Sequence, residues 1–161
     1  MAKVFLLCGP ICSGKTTYSK QLVKNNRPAV LLSVDEITLA LFGQDSGENH
    51  NEMVEKTESY LFRKAVELIN SDITVVFDWG FWTREERQNA AKFFKAENIA
   101  TEWHYFEVRR EIRKKYRNKR NEQILSGQAD FYHIDDDTAE KFDKFFEPPN
   151  RDEIDVWHNN G

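Results

Sequence analysis

Apolar residues along this chain recur in two rhythms. Short continuous runs at residues 3–8, 29–33, 73–78, 99–108 and 154–157 are rich in Val, Ile, Leu and aromatic residues. Their length and content predict strands buried on both faces. The run at 73–78 carries the strongest strand signal and ends on Asp78. Between the runs, apolar positions return every three or four residues, with charge in between. This predicts helices from Gly14 to about Asn26, from Ile37 to Phe42, and along a stripe of Met53, Thr57, Leu61, Ala65 and Leu68 that reads as core packing. A further helix follows Thr83-Arg84-Glu85-Glu86, which spells a capping box and leads to inward Ala90, Phe93 and Phe94. Residues 109–120 form a basic helix, and a last helix covers about 137–146, led by Asp135-Asp136-Asp137 and stopped by Pro148-Pro149. The polar stretch 44–49 reads as a loop.

Strands alternating with helices predict an α/β fold of three layers around a parallel central sheet, in one domain over residues 1–161. Ligands of such sheets sit at the carboxyl ends of the strands. That edge carries the candidate chemistry. The first run leads into Gly9-Pro10-Ile11-Cys12-Ser13-Gly14-Lys15-Thr16, a G-x-x-x-x-G-K-T pattern between a strand and a helix. Backbone N–H groups of such a turn form a nest for phosphate oxygens, and the helix aims its positive end at the same place. Gly9, Cys12, Ser13, Gly14, Lys15, Thr16 and Thr17 are the expected nucleotide contacts. Lys15 supplies a point charge for the outer phosphates and Thr16 a hydroxyl for Mg²⁺. ATP and Mg²⁺ are therefore the expected cofactors.

Composition narrows the class. Of 161 residues, 40% are hydrophobic and 13% aromatic, enough for a globular core. A formal net charge of −4 does not favour broad binding to a polyanion. The two cysteines, Cys8 and Cys12, lie in or beside the phosphate loop. They read as a strand-end residue and a variable loop position, not as a metal or redox pair. No run reaches the length of a membrane span and no export signal is evident, so a cytoplasmic location without membrane association is expected. His50, His104, His133 and His158 lack metal-ligand spacing.

Three pieces in order, GPICSGKTT, SVDEITLALFG and VVFDWGFWTREER, followed by a strand and an arginine-rich helix, resemble the P-loop kinase-type ATPases grouped as AAA-family ATP-binding proteins. That group is similar to polynucleotide 5′-kinases, chloramphenicol phosphotransferases and zeta-type toxins. The resemblance covers nearly the whole chain, including Phe146-Glu147-Pro148-Pro149. It implies a helical basic lid over about 109–135, with Arg113, Arg117 and Arg120 reaching the triphosphate, Arg117 in a catalytic role, and Pro148 beside the adenine. It also implies that Asp78 holds Mg²⁺, that Trp82 belongs to a wall of the acceptor pocket, and that Arg87 reaches the acceptor or the γ-phosphate. Each has a plainer counterpart: a turn carboxylate for Asp78, core packing for the Trp79–Trp82 rings, and a solvated face for Arg84, Arg87 and the basic helix. Asp35 is the candidate general base, with a helix cap as its other reading. Thr38 stands where related kinases often carry arginine.

The expected function is an ATP- and Mg²⁺-dependent phosphotransferase that moves the γ-phosphate to a hydroxyl of a small molecule or nucleotide. Its rivals are a nucleic-acid 5′-hydroxyl kinase, favoured by the basic helix, and a nucleotide-binding ATPase switch that phosphorylates no acceptor. An antitoxin-like partner is a more distant reading.

Overall fold

A computed structural model describes residues 1–45, 47–128 and 131–159. Five strands, β1 (Val4–Cys8), β2 (Ala29–Leu32), β3 (Thr74–Asp78), β4 (Thr101–Glu107) and β5 (Val156–Asn159), make one sheet in the order β2-β3-β1-β4-β5. Every pairing is parallel. The helices are α1 (Lys15–Asn25), α2 (Val34–Phe42), α3 (His50–Asn70), α4 (Arg84–Ala96), α5 (Arg110–Leu125) and α6 (Asp136–Phe145). Short 3₁₀ turns cover Gly47–Asn49 and Arg151–Glu153.

Strand β1 is apolar at every position, and β3 is so at Val75, Val76 and Phe77, because helices cover both faces. Alternate residues of β1 separate into two cores. Val4, Leu6 and Cys8 join Leu61, Ala65, Phe77, Ala90 and Phe94 beneath α3 and α4. Phe5 and Leu7 join Leu22, Val76 and Phe106 beneath α1. Phe77 and Phe94 have no exposed surface, and each such ring contributes about 1.5–3 kcal/mol by burial. Phe62 of α3 stacks on Phe93 with ring centroids 5.4 Å apart and meets Phe77 edge-on.

Most predicted elements stand where the rhythm puts them, and the departures have local causes. Helix α2 begins at Val34, three residues earlier than expected, because Ser33 is its cap and accepts from Glu36 N–H at 3.2 Å. Asp35 therefore lies inside the first turn, and the capping role weighed for it belongs to Ser33. Helix α3 begins at His50. Helix α5 runs on to Leu125, with Gly127 beyond it at φ 74°. The last strand is displaced by two residues, since Asp155 caps β4 through a 2.7 Å bond from Trp103 N–H before β5 starts. The Thr83–Glu86 capping box is present.

On the α1 face lies a polar chain that the core encloses. His104 is 2% exposed. Its Nε2 meets Glu102 Oε1 at 2.8 Å and its Nδ1 meets His158 Nε2 at 3.0 Å. With the carboxylate accepting, neutral His104 carries its proton on Nε2 and takes one from His158. Tyr18 packs on both rings, and Asp155 and Lys3 add charge nearby. Burial lowers the pKa of both histidines. The unfolded chain then binds protons more readily, so this part of the stability is present above about pH 6.5 and is lost as pH falls toward the folded values. The melting temperature should drop by about 3–6 °C between pH 7.5 and pH 5.5. A His158→Gln variant should show a flatter profile, and an unchanged slope in that variant would remove the pair as the cause.

Candidate active site

The phosphate loop is built by close approach. A Cβ on Gly9 would stand 3.1 Å from Ser13 Oγ and 3.2 Å from the Phe106 carbonyl oxygen, so the loop and β4 leave no room for a side chain. Gly14 has φ 91°, which turns the chain into α1. Cys12 holds a left-handed φ of 55° inside the loop. Gly9 N–H donates to Gly80 O at 3.1 Å and ties the loop to the turn after β3. Lys15 donates to the carbonyls of Gly9 and Pro10 at 2.9 and 2.7 Å, and to Ser13 Oγ at 3.2 Å. Burial, opposed by the Asp78 charge, lowers its pKa to about 8. Thr17 is exposed in the first turn of α1. Cys8 and Cys12 are free and buried, and burial pushes the Cys8 thiol up to about 11, where it stays protonated.

Asp78 reaches this loop through sheet register. It pairs with Leu7, one residue before the end of β1. The Thr16 side chain acts on its carboxylate and favours the charged form. Burial raises its pKa against the pull of Lys15. Asp35 comes from the neighbouring strand, three residues past β2. Asp35 is exposed as a residue, yet the protein around its carboxyl desolvates it, and that desolvation, followed by the charge of Asp78, raises its pKa. His50, Lys15 and Arg120 pull it the other way. The two carboxylates, Lys15, Thr16 and Arg120 thus share one electrostatic neighbourhood. Among the described residues no group of three or more His, Cys, Asp or Glu is arranged to hold a metal by itself. Hard oxygen donors from Thr16 and Asp78 suit Mg²⁺, which takes most of its ligands from phosphate and water.

The arginines of α5 take two directions. Arg113 donates to Asp143 at 2.8 Å and to the Val108 carbonyl at 3.2 Å. Arg117 is buried and pairs with Asp136, while its Nε has no partner. A cavity of about 330 Å³ opens between these pairs and the phosphate loop, lined by Ile11, Cys12, Arg113, Arg117, Asp136 and Asp143 among others. Arg120 lies 4.4 Å over the Phe131 ring, and its charge acts on Lys15, Asp35 and Asp78.

Two expected substrate contacts are spent on the scaffold. Arg87 is 2% exposed, neither solvent-facing nor open to the cleft. It bonds Glu153 at 2.9 Å and the carbonyls of Phe81 and Trp82 at 3.0 and 3.3 Å. Trp82 lies against Gly80, where a Cβ would fall 2.1 Å from its Nε1, and packs on Phe142 of α6 at 4.8 Å. Trp79 and Phe81 belong to the core. Pro148 is exposed and follows Glu147, whose N–H donates to Trp82 O at 2.8 Å. The 79–82 turn therefore joins the phosphate loop to α6.

Sequence reasoning passed over Tyr132 and Gln44, which tie the return segment after α5 to α2. Tyr132 and Thr38 share a 2.7 Å hydrogen bond. The available signal was the apolar group Phe131-Tyr132 in an otherwise polar connection.

Fold and site together define a P-loop nucleotide-binding protein of the kinase type. The chain belongs to the AAA domain family, which it matches over residues 4–149. No curated protein matches it. Solved structures share its fold at low identity. Kti12 of Chaetomium thermophilum, in complex with ADP-AlF3, superposes with a TM-score of 0.71 at 13% identity, covering 98% of this chain and 88% of that one. The Mycobacterium tuberculosis APS kinase, in complex with AMPPNP and APS, gives 0.67 at 16%, covering 98% and 88%. A sugar kinase from Janibacter sp. HTCC2649 gives 0.65 at 11%, covering 99% and 86%. No helix among the described residues is long and apolar enough to cross a membrane.

A lysine with a pKa of about 8 loses its charge just above neutrality. Nucleotide affinity should therefore fall about tenfold between pH 7 and pH 9, read with a fluorescent ATP analogue. Affinity flat across that range would take Lys15 out of phosphate binding. Arg87→Met strands Glu153 and should cost about 3 kcal/mol or more in urea unfolding, with nucleotide affinity of the folded protein unchanged within about twofold. Normal stability with lost affinity would return Arg87 to the site.

Proposed function

We propose that this protein is an ATP- and Mg²⁺-dependent phosphotransferase that moves the γ-phosphate to the hydroxyl of a small molecule or nucleotide. The observation that carries this reading is the meeting of Asp35 and Asp78, from adjacent strands, with Lys15 and the Thr16 hydroxyl at one edge of the sheet. A nucleotide switch needs only the loop and Asp78. A second carboxylate, within electrostatic reach of the first and free of capping duty, suits a group that accepts a proton.

In this reading the loop amides, Lys15 and the end of α1 hold the phosphates. The nucleoside end extends toward the cavity beside Cys12, Arg113 and Arg117, with Pro148 farther along that side. Thr16 and Asp78 would hold Mg²⁺, which would supply neutralising charge at the outer phosphates. Asp35 orients the acceptor hydroxyl and takes its proton as the oxygen bonds to the γ-phosphorus and the bond to ADP breaks. Arg117 and Arg120 approach the transferring group from α5 and stabilise its spread charge. The Asp136 and Asp143 carboxylates hold Arg117 and Arg113 in place.

Charge pairing favours a small acceptor over a nucleic-acid 5′ end. Arg113 and Arg117, the best support for a polyanion, face carboxylates of α6 and not an open groove. Transfer should therefore show none of the steep salt dependence of polyanion binding.

Asp35→Asn should lower phosphate transfer by about 10²–10⁴-fold and leave ATP affinity within about threefold. The assay is transfer of label from γ-labelled ATP to pooled metabolites, antibiotics and oligonucleotides. Transfer undiminished in this variant would contradict the base assignment. The raised pKa of Asp35 also places the acid limb of the rate profile above the ordinary aspartate value of 3.8.

A further inference from the structure

Most arginines of α5 are matched by acids. Arg110 and Arg113 meet Asp143, and Arg117 meets Asp136. Arg120 is the exception. Among the described residues its guanidinium meets no carboxylate and makes no hydrogen bond, and it lies 4.4 Å over the Phe131 ring. A guanidinium laid on a ring keeps its five N–H groups directed outward in its plane.

The platform under Arg120 is fastened to α2. Gln44, just past α2, donates from Nε2 to Phe131 O at 2.7 Å and accepts at Oε1 from His133 N–H at 3.0 Å. Asn121 of α5 holds Ile134 the same way, donating to its carbonyl at 2.6 Å and accepting from its N–H at 3.1 Å. Between the two clamps, Tyr132 shares a 2.7 Å hydrogen bond with Thr38 of α2. His50, the first residue of α3, stands edge-on to the Tyr132 ring at 5.9 Å. Arg120 and His50 are thus both gathered, through Phe131 and Tyr132, onto the helix whose first turn carries Asp35.

The charges agree with these contacts. Arg120 and His50 both act on Asp35 and favour its charged form. Arg120 also acts on Lys15 and Asp78, so its field spans the phosphate loop and the candidate base. In the reading above Lys15 serves the phosphates and Asp78 the cation. That leaves the Arg120 fork beside Asp35 with no anion of its own, and such a fork suits a carboxylate or a phosphate.

We infer that Arg120 is the specificity-determining residue for the acceptor, and that the acceptor is a small alcohol carrying its own anionic group, a carboxylate or a phosphate ester. The inference rests on the phosphotransfer reading above. Five donors on a planar fork allow Arg120 to contact the transferring phosphoryl group and this second anion together. Anchoring the anion at Arg120 places the hydroxyl of the same molecule at Asp35.

The test uses the full chain with Mg²⁺ and matched pairs of small alcohols. The pairs are nucleosides with their monophosphates, sugars with their sugar acids and sugar phosphates, and glycerol with glycerol phosphate, each anionic member keeping a free hydroxyl. A 5′-hydroxyl oligonucleotide is the polyanion control. Binding is read by calorimetry on protein filled with a non-hydrolysable ATP analogue, and transfer with γ-labelled ATP. At least one anionic member should bind about tenfold more tightly than its uncharged counterpart and take label with a kcat/KM about tenfold higher. Arg120→Met, with a melting temperature near the parent value, should bring that ratio to within about twofold of unity. Arg120→Lys, which keeps the charge and loses the fork, should retain part of it. An arginine serving only the transferring phosphoryl group would lower both members alike and keep the ratio. A ratio that survives Arg120→Met therefore overturns the inference. So do uncharged members that equal or exceed their anionic counterparts in every pair, or an oligonucleotide preferred over every small anion. Anionic preference in binding with no transfer of label sinks the phosphotransfer reading alone, transfer without that preference sinks this inference alone, and protein that binds the analogue but no acceptor sinks both.

Discussion

The structure depends on a balance of charge at one sheet edge. Strands β1 and β3 run side by side, so the loop after the first and the carboxylate ending the second must share a small space. The loop offers backbone N–H groups, a helix end and the Lys15 ammonium. Asp78 answers with a charge that burial makes costly, and Asp35 adds a second from β2's side. Each group is held away from its ordinary pKa by desolvation, and each is partly relieved by the others. Lys15 meanwhile spends its three donors on Gly9, Pro10 and Ser13. Opposed, desolvated charges gathered in a cleft are the mark of a functional site.

The rest of the molecule holds that edge in place. The two apolar cores fix the strands. Arg87 and Glu153 lock the turn after β3, which in turn holds Gly9 through Gly80. The acids of α6 hold the arginines of α5 over the cavity. The 131–134 segment, clamped from α2 and α5, closes the remaining side. Helix α5 thus borders the cleft with three arginines, Arg113 and Arg117 paired with α6 and Arg120 over Phe131.

Much of this was legible in the sequence because it rests on neighbours in the chain. The phosphate loop, the Thr83 capping box and the aspartate ending β3 announce themselves within a few residues. Strand burial reads directly from the apolar runs. What escaped depends on distant partners. Arg87 looks like a surface residue until Glu153, 66 positions away, is packed against it. Arg113 and Arg117 look like a solvated basic face until Asp143 and Asp136 arrive from the next helix. Their spacing on α6, seven residues apart, was a readable hint of a face meeting the arginines. Trp82 stayed open in the sequence because an aromatic run beside a site reads equally as pocket or packing, and its contacts with Gly80 and Phe142 are packing contacts. Tyr132 had no chain-local signal pointing to Thr38, 94 residues earlier.

The central claim is that one cradle at residues 9–16 presents phosphate to two carboxylates. It is tested most directly by a crystal structure of the protein with a non-hydrolysable ATP analogue and Mg²⁺. The account predicts the β- and γ-phosphates among the loop amides with Lys15 turned onto them, the cation beside Thr16 and Asp78, and Asp35 facing the terminal phosphorus. Phosphates bound elsewhere, or Asp35 directed away from them, would contradict it.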